Sequence, residues 1–265
     1  MRRFIFLFLA VSMASISVPA LQAETPVKIG FGIGPSFGGF REETDSEINR
    51  YYTNLTYLLY ANMEFGHFLH SFNLSFNMGE TTAAAKFENK YVYDWVYSFY
   101  RGTFDYALDY RLWNIMGNSS LPGYLGGIFR TDFSLITALE VPKITALMSL
   151  GLHVTQKWLI DSKQSLTFSA SIPLFTYAVR PPFPGADEIL AKFVGEGRPL
   201  MFLTTGRFAS VHNYWALHGN LKYHFRLIEQ LSLYAGLGFE LSHINFTAPR
   251  RDAVTRLSGG LTFTF

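Results

Sequence analysis

From Val27 to the end of the chain, apolar and polar residues alternate in ten separate stretches. Successive side chains of a β-strand point to opposite faces, so a two-residue period predicts strands that are apolar on one side and polar on the other. Val27, Ile29, Phe31 and Ile33 alternate with Lys28, Gly30, Gly32 and Gly34. The same code marks 54–63, 71–78, 103–112, 129–135, 146–157, 166–174, 215–225, 231–241 and 256–265. In the stretch 166–174 the apolar face is Leu166, Phe168, Ala170, Ile172 and Leu174.

The connections fall into two sets. One is short: 65–67, 160–164 and 226–230, with 114–123 somewhat longer. The other is mostly long: 36–50, 79–101, 181–207 and 245–252, with only 137–143 brief. Short turns on one side and long loops on the other are the layout of a membrane barrel. The reading is therefore an all-β, transmembrane, antiparallel up-and-down β-barrel of ten strands over residues 24–265, with both termini in the periplasm. Residues 91–101 and 199–207 read either as strand or as loop, which makes eight and twelve strands the alternatives.

A soluble β-sandwich or lipocalin-like barrel is the competing class, with its polar face in water. The polar faces here carry Gly, Ser, Thr and Asn rather than long Lys or Glu side chains, which suits a crowded interior. Aromatics gather near strand ends, at Trp113, Trp158, Trp215, Tyr223 and Phe225, as in an interfacial girdle. Backbone groups in hydrocarbon must all be paired, so the last strand is expected to close on the first, Val27 to Ser36. The glycines at both strands, Gly259-Gly260 and Gly30/Gly32/Gly34, ease curvature at that seam.

The N-terminus, MRRFIFLFLAVSMASISVPALQA, has two arginines, an apolar run from Phe4 to Ala14, and small or polar residues up to Ala23. That order is a secretory signal peptide, with cleavage expected after Ala23. The apolar run is too short to cross the ~30 Å of hydrocarbon as a helix. No later segment has 18 consecutive apolar residues. The whole chain has 22 Lys and Arg against 20 Asp and Glu; losing Arg2 and Arg3 with the signal leaves 20 against 20. There is no basic excess for nucleic acid. Cysteine is absent, so an exported chain does without disulfides.

The terminal stretch LSGGLTFTF places Leu261, Phe263 and Phe265 at alternate positions and ends on Phe. With the signal peptide, the even strand count and the alternating faces, the chain resembles Gram-negative outer-membrane β-barrel proteins. More loosely, it is similar to barrel proteins of the Bacteroidota. The resemblance implies an outer-membrane location, contact with outer-membrane lipid, and a terminal strand read by the barrel-assembly machinery. It also implies handling by periplasmic chaperones during biogenesis.

The inward positions form a charged set. Lys28, Arg111, Arg130, Lys157, Lys222, Arg226 and Arg256 are positive; Glu64, Asp105, Asp109, Asp132 and Glu240 are negative; His153, His212, His218 and His224 join them. A ten-stranded barrel is slightly wider than the eight-stranded kind that side chains nearly fill. A salt-bridge network plugging the lumen is the favoured reading, with Asp105, Asp109, Arg111, Arg130, Asp132, Lys157, His212, Lys222, Glu240 and Arg256 as its members. The competing use of these residues is a small-solute pore.

Ser210-Val211-His212-Asn213 is the one stretch that hints at catalysis. On a strand, Ser210 and His212 would share the lumen face near the outer rim, and a serine nucleophile needs such a base. Outer-membrane phospholipases and lipid A deacylases resemble this in placing the two residues two apart, but in the order His-x-Ser. The omptin proteases also have ten strands, yet their paired acids and Asp-His pair have no counterpart at matching places. His218 and His224 are six apart, about 20 Å along a strand, too far to share a metal. The expectation is a non-enzymatic barrel, structural or weakly conducting, without metal or cofactor. A lipid or peptide hydrolase with its site near His212 is the alternative.

Overall fold

The computed structural model describes residues 26–42, 49–83, 97–114, 121–137, 142–179, 196–197, 204–245 and 249–265. The signal peptide, the segment 91–96 and most of the connection 181–207 lie outside these residues.

The described strands are β1 (Val27–Glu42), β2 (Asn49–Phe65), β3 (Phe68–Ala83), β4 (Tyr97–Asn114), β5 (Pro122–Thr137), β6 (Pro142–Leu159), β7 (Gln164–Val179), β8 (Arg207–Ser210), β9 (Tyr214–Ile228), β10 (Leu231–Ile244) and β11 (Arg250–Thr264). All neighbours pair antiparallel, in the order β6-β5-β4-β3-β2-β1-β11-β10-β9-β7, and β6 pairs with β7 to close the ring. The result is a ten-stranded up-and-down barrel, with the four-residue β8 added at one end of β7. The seam is sealed by β1 and β11, from Lys28 opposite Thr264 to Glu42 opposite Arg250. The backbone amides and carbonyls of Val27 and Phe265 exchange hydrogen bonds at its foot.

The alternation dictates the two faces. Outward side chains such as Phe31, Leu59, Phe72, Leu150, Leu237 and Leu261 are large, apolar and exposed around the ring. An apolar exterior of this extent is stable only against lipid. The intervening side chains fill the lumen.

Strand ends run further than the sequence pattern suggests. The expected loops 36–50 and 79–101 are strand at both of their ends: β1 continues to Glu42, β2 begins at Asn49, β3 reaches Ala83 and β4 begins at Tyr97. These extensions stay alternating, but their inward residues include the aromatics Phe40 and Phe99, which a polar-inside code hides.

Two irregularities share one part of the wall. In β7 the register against β6 slips by one, so that Leu150 faces Phe175 and Gly151 faces Pro173. Proline cannot donate to a ladder and sits at a bulge here. Beyond it the faces exchange: Phe175, not the following-pattern Leu174, stands fully on the lipid side, and Thr176 turns inward, bonded to Ser149 at 2.9 Å. Next to it the descending chain breaks between β8 and β9. Ser210 C=O accepts from the Asn213 amide in a tight turn, and Asn213 C=O then accepts from Asn245. Of the stretch 199–207 only 204–207 are described, and Arg207 begins β8; β8 and β9 are two segments of one broken barrel strand.

Candidate functional site in the barrel lumen

The lumen is filled in layers, each built by inward positions of several strands. At the loop-bearing end the filling is apolar. Phe40, Tyr52, Phe99, Ile136 and Val254 cluster on one side, with the Tyr52 and Phe99 rings 4.7 Å apart. Leu147, Ala178, Ala209, Tyr214, Ala216 and Ile244 cluster on the other. The expectation of a uniformly polar interior fails here.

Below this lies a charged layer of three guanidinium groups and three carboxylates. Arg101 binds Asp132 through Nε at 3.0 Å and through Nη2. The same Nη2 reaches Glu240. Arg130 Nη2 and Arg256 Nη2 each donate to Glu240 Oε2 at 3.0 Å. Arg130 Nη1 lies 3.4 Å from Asp105 Oδ2. Arg101 and Asp132 stand on β4 and β5, and Glu240 on β10. In the ring order β4 and β10 are five strands apart, so this ion pair spans the barrel's diameter. Charges removed from water are tolerable only when paired and hydrogen-bonded, and this layer balances three against three.

A polar layer follows. Asp109 is fully buried and accepts from His153 Nδ1 at 2.7 Å and from Thr155 Oγ1 at 3.1 Å. Lys222 Nζ crosses from β9 to Asn73 Oδ1 on β3 at 3.2 Å, and sits 3.8 Å above the Tyr60 ring. The Tyr60 hydroxyl bonds Thr262. Glycine makes room for these rings: a Cβ on Gly30 would stand 2.2 Å from Tyr60, and one on Gly32 would stand 1.7 Å from Tyr234. The seam glycines therefore accommodate inward tyrosines, beyond any role in curvature. Near the turn-bearing end Glu64 accepts from Arg111, from Tyr124 and from Lys157, the last at 2.8 Å. A cavity of about 90 Å³ remains between the charged and polar layers, lined by Tyr60, Asn73, Asp105, Arg130, His153, Lys222 and Glu240 among others. It has room for a few waters and no more.

Of the residues singled out from sequence, Asp105, Arg130, Asp132, Glu240 and Arg256 meet in the charged layer. Asp109, Arg111, Lys157 and Lys222 fall in the layers below it. His212 does not join them. It is exposed in the turn between β8 and β9, while Ser210 pairs with lipid-facing Phe175. The expected shared lumen face of Ser210 and His212 required a continuous strand, and the turn breaks it. Arg101 was missed. It sits at the boundary of a stretch read as a connection, though the alternation Phe99, Arg101, Thr103, Asp105 carries through it. Leu261, Phe263 and Phe265 face outward at the foot of the seam, where all three are exposed.

No protein-family model and no curated protein sequence matches the chain. Among solved structures it is similar to the outer membrane protease OmpT of Escherichia coli, at 8% identity and a TM-score of 0.59, over 94% of this chain and 99% of that one. It also matches the translocator domain of the autotransporter NalP from Neisseria meningitidis, at 9% identity and a TM-score of 0.43, over 99% and 96% of the two chains. The first likeness shows the fold.

Proposed function

We propose that this chain is a non-enzymatic barrel of the Gram-negative outer membrane, structural or at most weakly conducting, with its lumen held shut from within. The observation that carries this reading is the ion-pair layer across the bore: Glu240 on β10 receives guanidinium groups from Arg101 and Arg130 on the facing wall and from Arg256 on its neighbour. A hydrated solute must break several charge-assisted bonds to pass, and would then meet the apolar cluster around Tyr52 and Phe99. The location rests on the apolar exterior, the fold shared with OmpT and the signal-like N-terminus. In that setting the chain enters the periplasm behind a cleaved signal, is carried by chaperones, and is inserted by the assembly machinery through its terminal strand.

The test is solute uptake. Proteoliposomes holding the refolded chain, placed in an isotonic solution of a small neutral sugar, are expected to swell no faster than empty liposomes. Swelling at the rate of an open porin would overturn the reading. Hydrolysis of phospholipid or peptide by the wild type, absent in His212→Ala, would replace it with the enzyme class.

A further inference from the structure

The lumen is not electrically uniform. The charged layer balances, but the turn-bearing mouth beneath it does not. Lys28, Arg111, Lys157 and Arg226 line that end, and the lumen-facing carboxylate beside them among the described residues is Glu64, already shared by Arg111, Lys157 and Tyr124. Lys28 lies close enough to Lys157, Arg226 and Glu64 to feel each charge. His224 likewise stands among Lys222, Lys28 and Lys157. Neither the Lys28 nor the Arg226 side chain has an ion-pair partner among the described residues, and both are exposed to the mouth.

The wall between the cations suits an anion. Lys157 on β6 registers with Thr167 on β7, and Thr167 registers with Lys222 on β9. One rung of the sheet thus reads Lys-Thr-Lys, with the two lysines two strand spacings apart, roughly 10 Å. The rung below adds Ser165 beside His224. The Lys222 ammonium turns away from this wall, to the Asn73 amide oxygen, the Tyr60 ring and the charge of Asp105, which leaves Lys157 and Thr167 to face the mouth. Like charges gathered in a low-dielectric, narrow space focus the field and concentrate counter-ions.

We infer that this vestibule binds a small, multiply charged oxyanion, held by Lys28, Lys157 and Arg226 with the Thr167 hydroxyl. More than one negative charge is called for because the local excess is three: Lys28, Arg111, Lys157 and Arg226 against Glu64. Small size follows from the bore, which the Tyr60 and Tyr234 rings narrow on the seam side. Phosphate and polycarboxylate ions share this chemistry. The site faces the periplasm if the orientation proposed above holds, but binding in detergent does not depend on that orientation or on whether the barrel conducts, so the two readings fail separately.

The experiment is isothermal titration of pyrophosphate, and in a parallel arm citrate, into the full refolded barrel in zwitterionic detergent at fixed ionic strength. Saturable one-to-one binding of either ion is expected, the arm that saturates naming the class. The double variant Lys28→Gln/Arg226→Gln, at unpaired exposed positions, is expected to weaken it at least tenfold with unchanged thermal stability. Arg207→Gln/Arg251→Gln removes the same charge at the opposite end and is expected to bind as the wild type does. Failure of both ions to saturate, or equal weakening in the two double variants, would overturn the vestibule site.

Discussion

Glu240 is the residue on which the charged layer turns, and Glu240→Gln tests it with the least change of shape. Its carboxylate accepts from Arg101, Arg130 and Arg256, and its side chain is 4% exposed. The substitution leaves three arginines facing Asp105 and Asp132, a change from three-against-three to three-against-two in a buried layer. Removing one partner of a buried ion pair costs roughly 3–5 kcal/mol, because the other charge stays desolvated. Glutamine keeps one acceptor oxygen and the side-chain volume, so the lower end applies, about 3 kcal/mol, or about two orders of magnitude in the folding equilibrium. Reversible urea unfolding in lipid vesicles, followed by tryptophan fluorescence, reads this directly. A loss under about 0.5 kcal/mol, the range of ordinary surface changes, would refute the layer as a structural unit.

Leu237→Arg and Leu150→Arg place a charge on the lipid face near the middle of β10 and β6, and each is expected to cost roughly 2–4 kcal/mol in the same unfolding assay; wild-type stability with water-accessible cysteine labelling at position 150 would invert the face assignment. Phe265→Asp is expected to cut the amount of folded barrel in outer-membrane fractions and leave the chain to periplasmic proteases; normal levels would count against the assembly signal. Gly32→Val drives a side chain into the Tyr234 hydroxyl and is expected to destabilise by about 1–3 kcal/mol through overpacking, while Gly32→Val with Tyr234→Phe recovers part of it.

Period two made both faces legible. It placed Arg130, Asp132, Glu240 and Arg256 inward because side-chain direction in a strand depends on parity alone. Which of them meet was not legible, since contact across a lumen depends on ring order and register: Arg101 reaches Glu240 because β4 lies five strands from β10. The apolar plug was hidden for a chemical reason. Phe40, Tyr52 and Phe99 are inward aromatics at strand ends, and a polar-inside code reads such residues as loop. Local breaks defeat parity as well. Pro173 opens a bulge that moves Phe175 to the lipid side, and the turn at Val211–Asn213 takes His212 out of the strand that its spacing from Ser210 suggested.

The most direct test of the closed lumen is single-channel recording in planar bilayers, comparing the wild type with Arg101→Ala/Arg130→Ala. Both arginines reach Glu240 across the bore, so the account predicts no steady conductance for the wild type and measurable leak or flickering openings for the double variant. Large, stable channels in the wild type would contradict it.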